Sequence, residues 1–137
     1  MPPFVFFRKQ EVQGVFLLSA MVSRVTCEQA KGLTINTNLS GLNNVVQLCK
    51  KFKSKLVFFS TSEVYGDPYE HPQSEAYWGN VNPIGIRSCY DEGKRCAEAL
   101  FFDYQRQHDL SIKIIRIFNT YGPRMLMNDG RVVSNFI

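Results

Sequence analysis

Tyr90 and Lys94 are the residues of this chain best suited to proton chemistry. They stand four apart at the start of a segment with helical periodicity, so both side chains emerge on one face. A lysine ammonium beside a phenol favours the phenolate, which would draw the tyrosine pKa down from about 10 toward neutrality. A tyrosine tuned in this way can take the proton of a hydroxyl while an acceptor removes hydride from the same carbon. Upstream, Ser60-Thr61-Ser62-Glu63-Val64-Tyr65-Gly66 sets hydroxyls and a carboxylate directly after an apolar run. The Thr61 hydroxyl could hold the reacting oxygen and complete the set with Tyr90 and Lys94. Each motif alone is common: amphipathic helices often contain Tyr-x-x-x-Lys, and Ser-Thr-Ser after a strand often forms a turn or a helix cap. Their conjunction, between two apolar strands, is what points to catalysis.

Those residues need elements to hold them. Val15–Ser19, Leu56–Ser60 and Ile112–Phe118 are nearly continuous apolar runs, the pattern of parallel strands covered on both faces. Between the first two lies a segment from Glu28 to Phe52 whose second half (Leu42, Val45, Val46, Leu48, Cys49, Phe52) has helical spacing. A Pro-, Gly- and Asn-rich loop from Gly66 to Gly85 follows the second strand, with Tyr77 and Trp78 read as packing it. A helix is then expected from about Tyr90 to His108 (Ala97, Leu100, Phe101, Tyr104). This βαβαβ order predicts an α/β fold, a parallel sheet with helices on both faces. Ligands of such sheets bind beyond the carboxyl ends of the strands, where Thr61 falls. No Gly-x-x-Gly-x-x-Gly turn follows the first strand, so the usual pyrophosphate-binding turn of a dinucleotide fold is missing.

Composition narrows the classes further. The 137 residues suffice for one domain, and 45% apolar with 20% charged residues is ordinary for a globular chain. Sixteen Lys and Arg against 12 Asp and Glu leave +4, clustered only at Lys50, Lys51, Lys53 and Lys55. That cluster reads as a solvated helix end favoured by the helix dipole, and Asp91 and Glu92 as its acidic counterpart at a helix start. No dense basic stripe speaks for nucleic acid. Cys27, Cys49, Cys89 and Cys96 lack metal-ligand spacing, and His71 and His108 are isolated. We expect no metal, thiols in a reducing compartment, and a soluble cytoplasmic chain without a signal peptide or a bilayer-spanning run.

From Ser60 onward the sequence resembles the extended short-chain dehydrogenase/reductase family of nucleotide-sugar enzymes, and within it the UDP-glucuronate decarboxylases (UDP-xylose synthases). The resemblance rests on Ser60-Thr61-Ser62-Glu63-Val64-Tyr65-Gly66-Asp67-Pro68 with His71-Pro72-Gln73, and on Tyr77-Trp78-Gly79-Asn80-Val81-Asn82-Pro83-Ile84-Gly85. It continues through Arg87-Ser88-Cys89-Tyr90-Asp91-Glu92-Gly93-Lys94-Arg95, Arg116-Ile117-Phe118-Asn119-Thr120-Tyr121-Gly122-Pro123-Arg124-Met125, and Asn128-Asp129-Gly130-Arg131-Val132-Val133-Ser134-Asn135-Phe136-Ile137. Before Ser60 it is loose.

This resemblance implies a Rossmann-like, doubly wound parallel sheet. Residues 1–137 would be a partial NAD(P)-binding domain without its N-terminal glycine-rich βαβ unit and its C-terminal substrate lobe. It implies NAD as cofactor, a UDP-sugar as substrate and a homodimer in the full-length protein, paired through the helix that starts at Tyr90. The implied reaction oxidises C4 of UDP-glucuronate, releases carbon dioxide from the β-keto acid and reduces the 4-keto pentose to UDP-xylose. Tyr90 would be the acid/base, with Lys94 its partner on the nicotinamide ribose and Thr61 on the C4 oxygen. Ser62 and Glu63 would lie near C5 and the carboxylate, and Asn38 and Thr120 would join the cofactor contacts. Arg87, Asn119 and Arg131 would bind substrate, Arg87 through its planar guanidinium. Related 4,6-dehydratases typically carry Asp where Ser62 stands, an acid that protonates a departing hydroxyl; its replacement favours decarboxylation. The sequence departs from the family at Leu17-Leu18-Ser19, usually His-Leu-Ala, and at Asn36, usually Lys. With these gaps we expect the isolated chain to be inactive. A dehydratase or epimerase of the same fold, or a non-catalytic fragment, are the alternatives.

Overall fold

The computed structural model of the chain describes residues 12–18, 27 and 29–125. Its elements run β1 (Gly14–Leu17), α1 (Lys31–Phe52), β2 (Lys55–Thr61), a 3-10 turn (Ser62–Tyr65), α2 (Ser88–His108) and β3 (Ile112–Ile117). The expected strands and helices are all present; strand ends and the start of α2 move by no more than two residues, and α1 extends the helical spacing expected from Leu42 to Phe52 back to Lys31. The last expected residue of the first strand, Ser19, and the first of the helical segment, Glu28, lie outside the described residues.

The three strands form a parallel sheet in the order β1-β2-β3. In the register, Leu17 pairs with Phe58 and Phe58 with Ile114, while Ser60 pairs with Arg116. Side chains alternate along a strand, so Leu56, Phe58 and Ser60 face one side together with Ile112, Ile114 and Arg116. Leu42, Val46 and Cys49 of α1, and Ala97 and Phe101 of α2, pack on that same side around Leu56 and Phe58. The Phe58 and Phe101 rings lie 4.9 Å apart at 56°. Burying each ring stabilises the fold by about 1.5–3 kcal/mol.

Both crossovers step the same way along the sheet, so a right-handed connection puts both helices on one face. The second helical layer of a doubly wound sheet is not among the described residues. On the opposite face Phe16, Ile115 and Ile117 are exposed. No described helix is long and apolar enough to cross a membrane.

Helix ends follow their local chemistry. Lys50 and Lys51 fall in the last turn of α1, which stops at Lys53 in the left-handed conformation (φ 51°) with its amide on the Cys49 carbonyl. Asp91 lies in the first turn of α2 and Arg106 and His108 in its last, the favourable polarity at both poles.

Candidate active site

The site begins where β2 ends. Thr61 is still extended (φ −146°, ψ 156°), and its hydroxyl accepts the Glu63 amide at 3.3 Å, capping the 3-10 turn. The turn closes at Gly66, whose φ of 64° suits glycine. A Cβ there would stand 2.1 Å from the Asn80 carbonyl oxygen. Backbone bonds Asn80 N to Tyr65 O (2.8 Å) and Asp67 N to Asn80 O (3.0 Å) fasten the loop to the turn. From α2, Arg95 donates to the Val64 carbonyl at 2.9 Å and the Trp78 carbonyl at 2.8 Å. Tyr77 packs the loop as expected, its ring 6.0 Å from that of Tyr65. Trp78 does not: its side chain is exposed, and the loop uses its carbonyl instead.

The first turn of α2 arrives over this edge. Tyr90 is buried, with the Thr61 hydroxyl near enough to its phenol to favour the phenolate. The Arg87 guanidinium lies 5.8 Å from the Tyr90 ring and 4.0 Å from the Glu63 carboxylate. Lys94 is 4% exposed one turn later. Its ammonium donates to the Phe59 carbonyl at 2.9 Å and sits 4.7 Å from the Phe58 ring. Thus Thr61, Glu63, Arg87, Tyr90 and Lys94 converge at the carboxyl end of β2, with Ser62 half-buried in the turn between.

The electrostatics differ from the simple expectation for the pair. Burial pushes the Tyr90 phenol above its ordinary value and Glu63 adds to this, while the Thr61 hydroxyl and Arg87 pull the other way. The Lys94 ammonium points at the β2 backbone, and desolvation outweighs the groups that favour the phenolate. Lys94 itself is brought down to about 8 by burial, which the Glu98 charge partly offsets. Asp91, read from sequence as a helix-pole charge, is held up at about 6 by burial and by the nearby Glu63, against the pull of Arg87.

A second group was not singled out from the sequence. Glu98, 6% exposed, accepts from Ser60 Oγ at 2.6 Å and from Arg116 at 2.7 Å and 3.1 Å. Arg116 also donates to the Tyr65 hydroxyl at 2.9 Å. Spacing carries half of the signal, since Glu98 follows Lys94 by four on the same helix face; the placement of Arg116 beside Ser60 comes from the strand register.

The remaining candidates are dispersed. Asn38 is buried on α1 against the next turn of α2, where a Cβ on Gly93 would lie 3.7 Å from its amide nitrogen. Asn36 is exposed on α1, and Leu17 belongs to the core. Asn119 and Thr120 are exposed beyond β3, with the Thr120 hydroxyl donating to the Phe118 carbonyl at 2.9 Å. Arg131 lies outside the described residues. The four cysteines are thiols.

For a dinucleotide the fit is to one end. A lysine ammonium has three donors, and Lys94 commits one to Phe59, leaving two for neighbouring hydroxyls such as those of a ribose.

Residues 5–137 match the NAD dependent epimerase/dehydratase family. Over 127 residues the chain is 58% identical to UDP-glucuronic acid decarboxylase 6 of Arabidopsis thaliana, covering 93% of this chain and 37% of that protein. Against UDP-glucuronic acid decarboxylase 1 of Xenopus tropicalis the identity is 60%, with 93% and 30% covered. The chain therefore spans little more than a third of the Arabidopsis relative and less of the Xenopus one. Among solved structures, the UDP-glucose 4-epimerase of Thermotoga maritima with UDP-glucose aligns with a TM-score of 0.77 at 25% identity, covering 90% of this chain and 40% of that one. With a matching fold, and with a family match over nearly all of its length, the chain belongs to the NAD dependent epimerase/dehydratase family.

Proposed function

We propose that this chain carries the acid/base centre of an NAD-dependent decarboxylase acting on UDP-glucuronate to give UDP-xylose. The observation that carries the reading is the buried Tyr90 phenol beside the Thr61 hydroxyl, with the Lys94 ammonium one turn below, at the carboxyl edge of the sheet. Identity to the UDP-glucuronic acid decarboxylases of two organisms supports the choice of substrate.

When bound, NAD supplies the acceptor and then the donor of hydride. In this reading Tyr90 must first be ionised against the burial that raises it; it then removes the proton of the C4 hydroxyl, whose oxygen Thr61 holds, and later returns it. Arg87 pairs with the substrate carboxylate; its Nε is buried without a hydrogen-bond partner among the described residues, so donor capacity remains. Loss of carbon dioxide from the β-keto acid needs no proton donated to a leaving hydroxyl, which agrees with Ser62 in the turn. Glu63 borders the same space, and its charge discourages ionisation of both Tyr90 and Asp91. Lys94 and Tyr90 serve the nicotinamide ribose, with Asn38 and Thr120 as further cofactor contacts. Asn119 and Arg131 act on the substrate side, and the full-length enzyme is a homodimer.

The test is a chimera in which this chain replaces the matching segment of the Arabidopsis relative. Incubation with UDP-glucuronate and NAD should release carbon dioxide and a UDP-pentose, and Tyr90→Phe should reduce turnover by roughly 10²-fold or more. A folded chimera that yields a 4-keto-6-deoxy sugar, an inverted sugar or no product refutes the proposal.

A further inference from the structure

The cysteines nearest the site make a contact that the proposed reaction does not use. Cys89 lies in the first turn of α2, immediately before Tyr90, and is half-buried. Its thiol is turned onto Cys27, donating to the Cys27 carbonyl across 3.7 Å although 62 residues separate them in sequence. Cys27 is 1% exposed, and the Thr34 hydroxyl on the first turn of α1 lies near enough to its thiol to favour the thiolate. The two sulfurs are close enough that charge on Cys89 discourages ionisation of Cys27, while Arg87 favours it. The Cys89 sulfur thus stands against the backbone of Cys27 itself. The other thiols are placed differently. Cys49 is fully buried in the core, and Cys96 is exposed on α2, seven residues from Cys89. Seven helical residues rise about 10 Å, beyond the reach of a disulfide.

We propose that Cys27 and Cys89 are a redox-modification site, a thiol pair that closes to an intramolecular disulfide and ties the entry of α1 to the helical turn carrying Tyr90. The oxidant it takes is a small disulfide of the glutathione class. Cys89, the more accessible sulfur, gives up its proton and attacks as thiolate, forming a mixed disulfide; the glutathione thiolate that leaves takes that proton. Cys27 then gives up its proton and displaces the second glutathione, which leaves as thiolate and takes that proton. One glutathione disulfide is reduced to two glutathiones, and two protein thiols are oxidised to one disulfide. The link would brace the backbone behind the acid/base residue and remain open to reduction by thiols. Its test reads sulfur chemistry alone, so it stands or falls separately from the decarboxylase reading.

The test uses the 137-residue chain with Cys96→Ser, exposed to glutathione disulfide in native buffer, quenched by alkylation and mapped by mass spectrometry without reduction. We expect a Cys27–Cys89 peptide pair, a protein lighter by two hydrogens, and no retained glutathione. With Cys27→Ser added, Cys89 should instead keep one glutathione. Glutathione persisting on Cys89 while Cys27 is present overturns the proposal, as does a Cys89–Cys49 pair. Equal yield of the Cys27–Cys89 pair in strong urea also overturns it, because pairing by chance needs no fold. Protection of Cys49 from alkylation reports folding in the same map. Should the isolated chain leave Cys49 unprotected, the same map is made on the chimera, where the same outcomes support or overturn the proposal.

Discussion

Replacing Lys94 with methionine should make the fold more stable at neutral pH while removing a residue on which the proposed chemistry depends. Lys94 is 4% exposed and its pKa falls from 10.5 to about 8, chiefly through burial. That gap corresponds to roughly 3 kcal/mol by which the folded state disfavours the charge. Below about 8 both states carry the proton and the full penalty is present. Between about 8 and 10.5 the unfolded chain binds more protons than the folded one, so this contribution makes stability rise with pH across that window. Methionine keeps the stem packed on Phe58 but gives up the hydrogen bond to the Phe59 carbonyl, a loss of about 1 kcal/mol. The net expectation is about 2 kcal/mol of added stability at pH 7, a rise of about 8 °C in the unfolding midpoint. Chemical and thermal unfolding followed by circular dichroism, for parent and Lys94→Met at about pH 7 to 9.5, gives the difference curve. The Tyr90, Cys27 and Cys49 titrations are common to both proteins and largely cancel. The variant's advantage should shrink steadily as pH rises. A variant less stable than its parent at neutral pH, or an advantage indifferent to pH, would refute the reasoning.

Three further outcomes follow from the geometry. Glu98→Ala should lose about 3 kcal/mol, because Arg116 and Ser60 are left without their acceptor; Glu98→Gln should lose about half of that, and urea midpoints decide. Gly66→Ala should lose about 2–3 kcal/mol on the same measurement, since a side chain at φ 64° meets the Asn80 carbonyl; a neutral result would mean the turn rebuilds freely. Asp91, raised from 3.8 to about 6, is held protonated in the folded chain between those values, so stability from this group is full below 3.8 and declines as pH climbs through about 6. Asp91→Asn should flatten that decline, and parallel pH–stability curves for variant and parent would count against the cluster with Glu63.

Much of this architecture was readable because parallel strands and amphipathic helices write their burial into residue order. Leu56, Phe58 and Phe101 were core residues by pattern, and they are core residues in the fold. The convergence of Thr61, Tyr90 and Lys94 was also accessible, because a strand's carboxyl end and a four-residue helical spacing are local facts. The polarity of the pair was not. Whether Lys94 acts on Tyr90 or on the Phe59 carbonyl depends on how deeply α2 sits on the sheet, which no spacing records. The Glu98–Arg116 pair stayed hidden for a related reason: Arg116 sits in a strand whose other residues are mostly isoleucine, and only the register reveals that it turns inward. Trp78 shows the opposite failure, a large aromatic whose backbone rather than ring was recruited.

The pairing of Ser60 with Arg116 also bears on which lengths of chain the family can explore. Adding one residue within Leu56–Thr61 would turn Ser60 away from Glu98, expose half of the core face and carry Thr61 away from Tyr90 together. Structure and chemistry are thus written in one reading frame along β2, and a single indel there fails in both at once. The exposed stretch near Glu70, between the fastened ends of the loop, carries no such double message. Relatives of this chain should therefore differ in length in that loop and keep β2 at constant length.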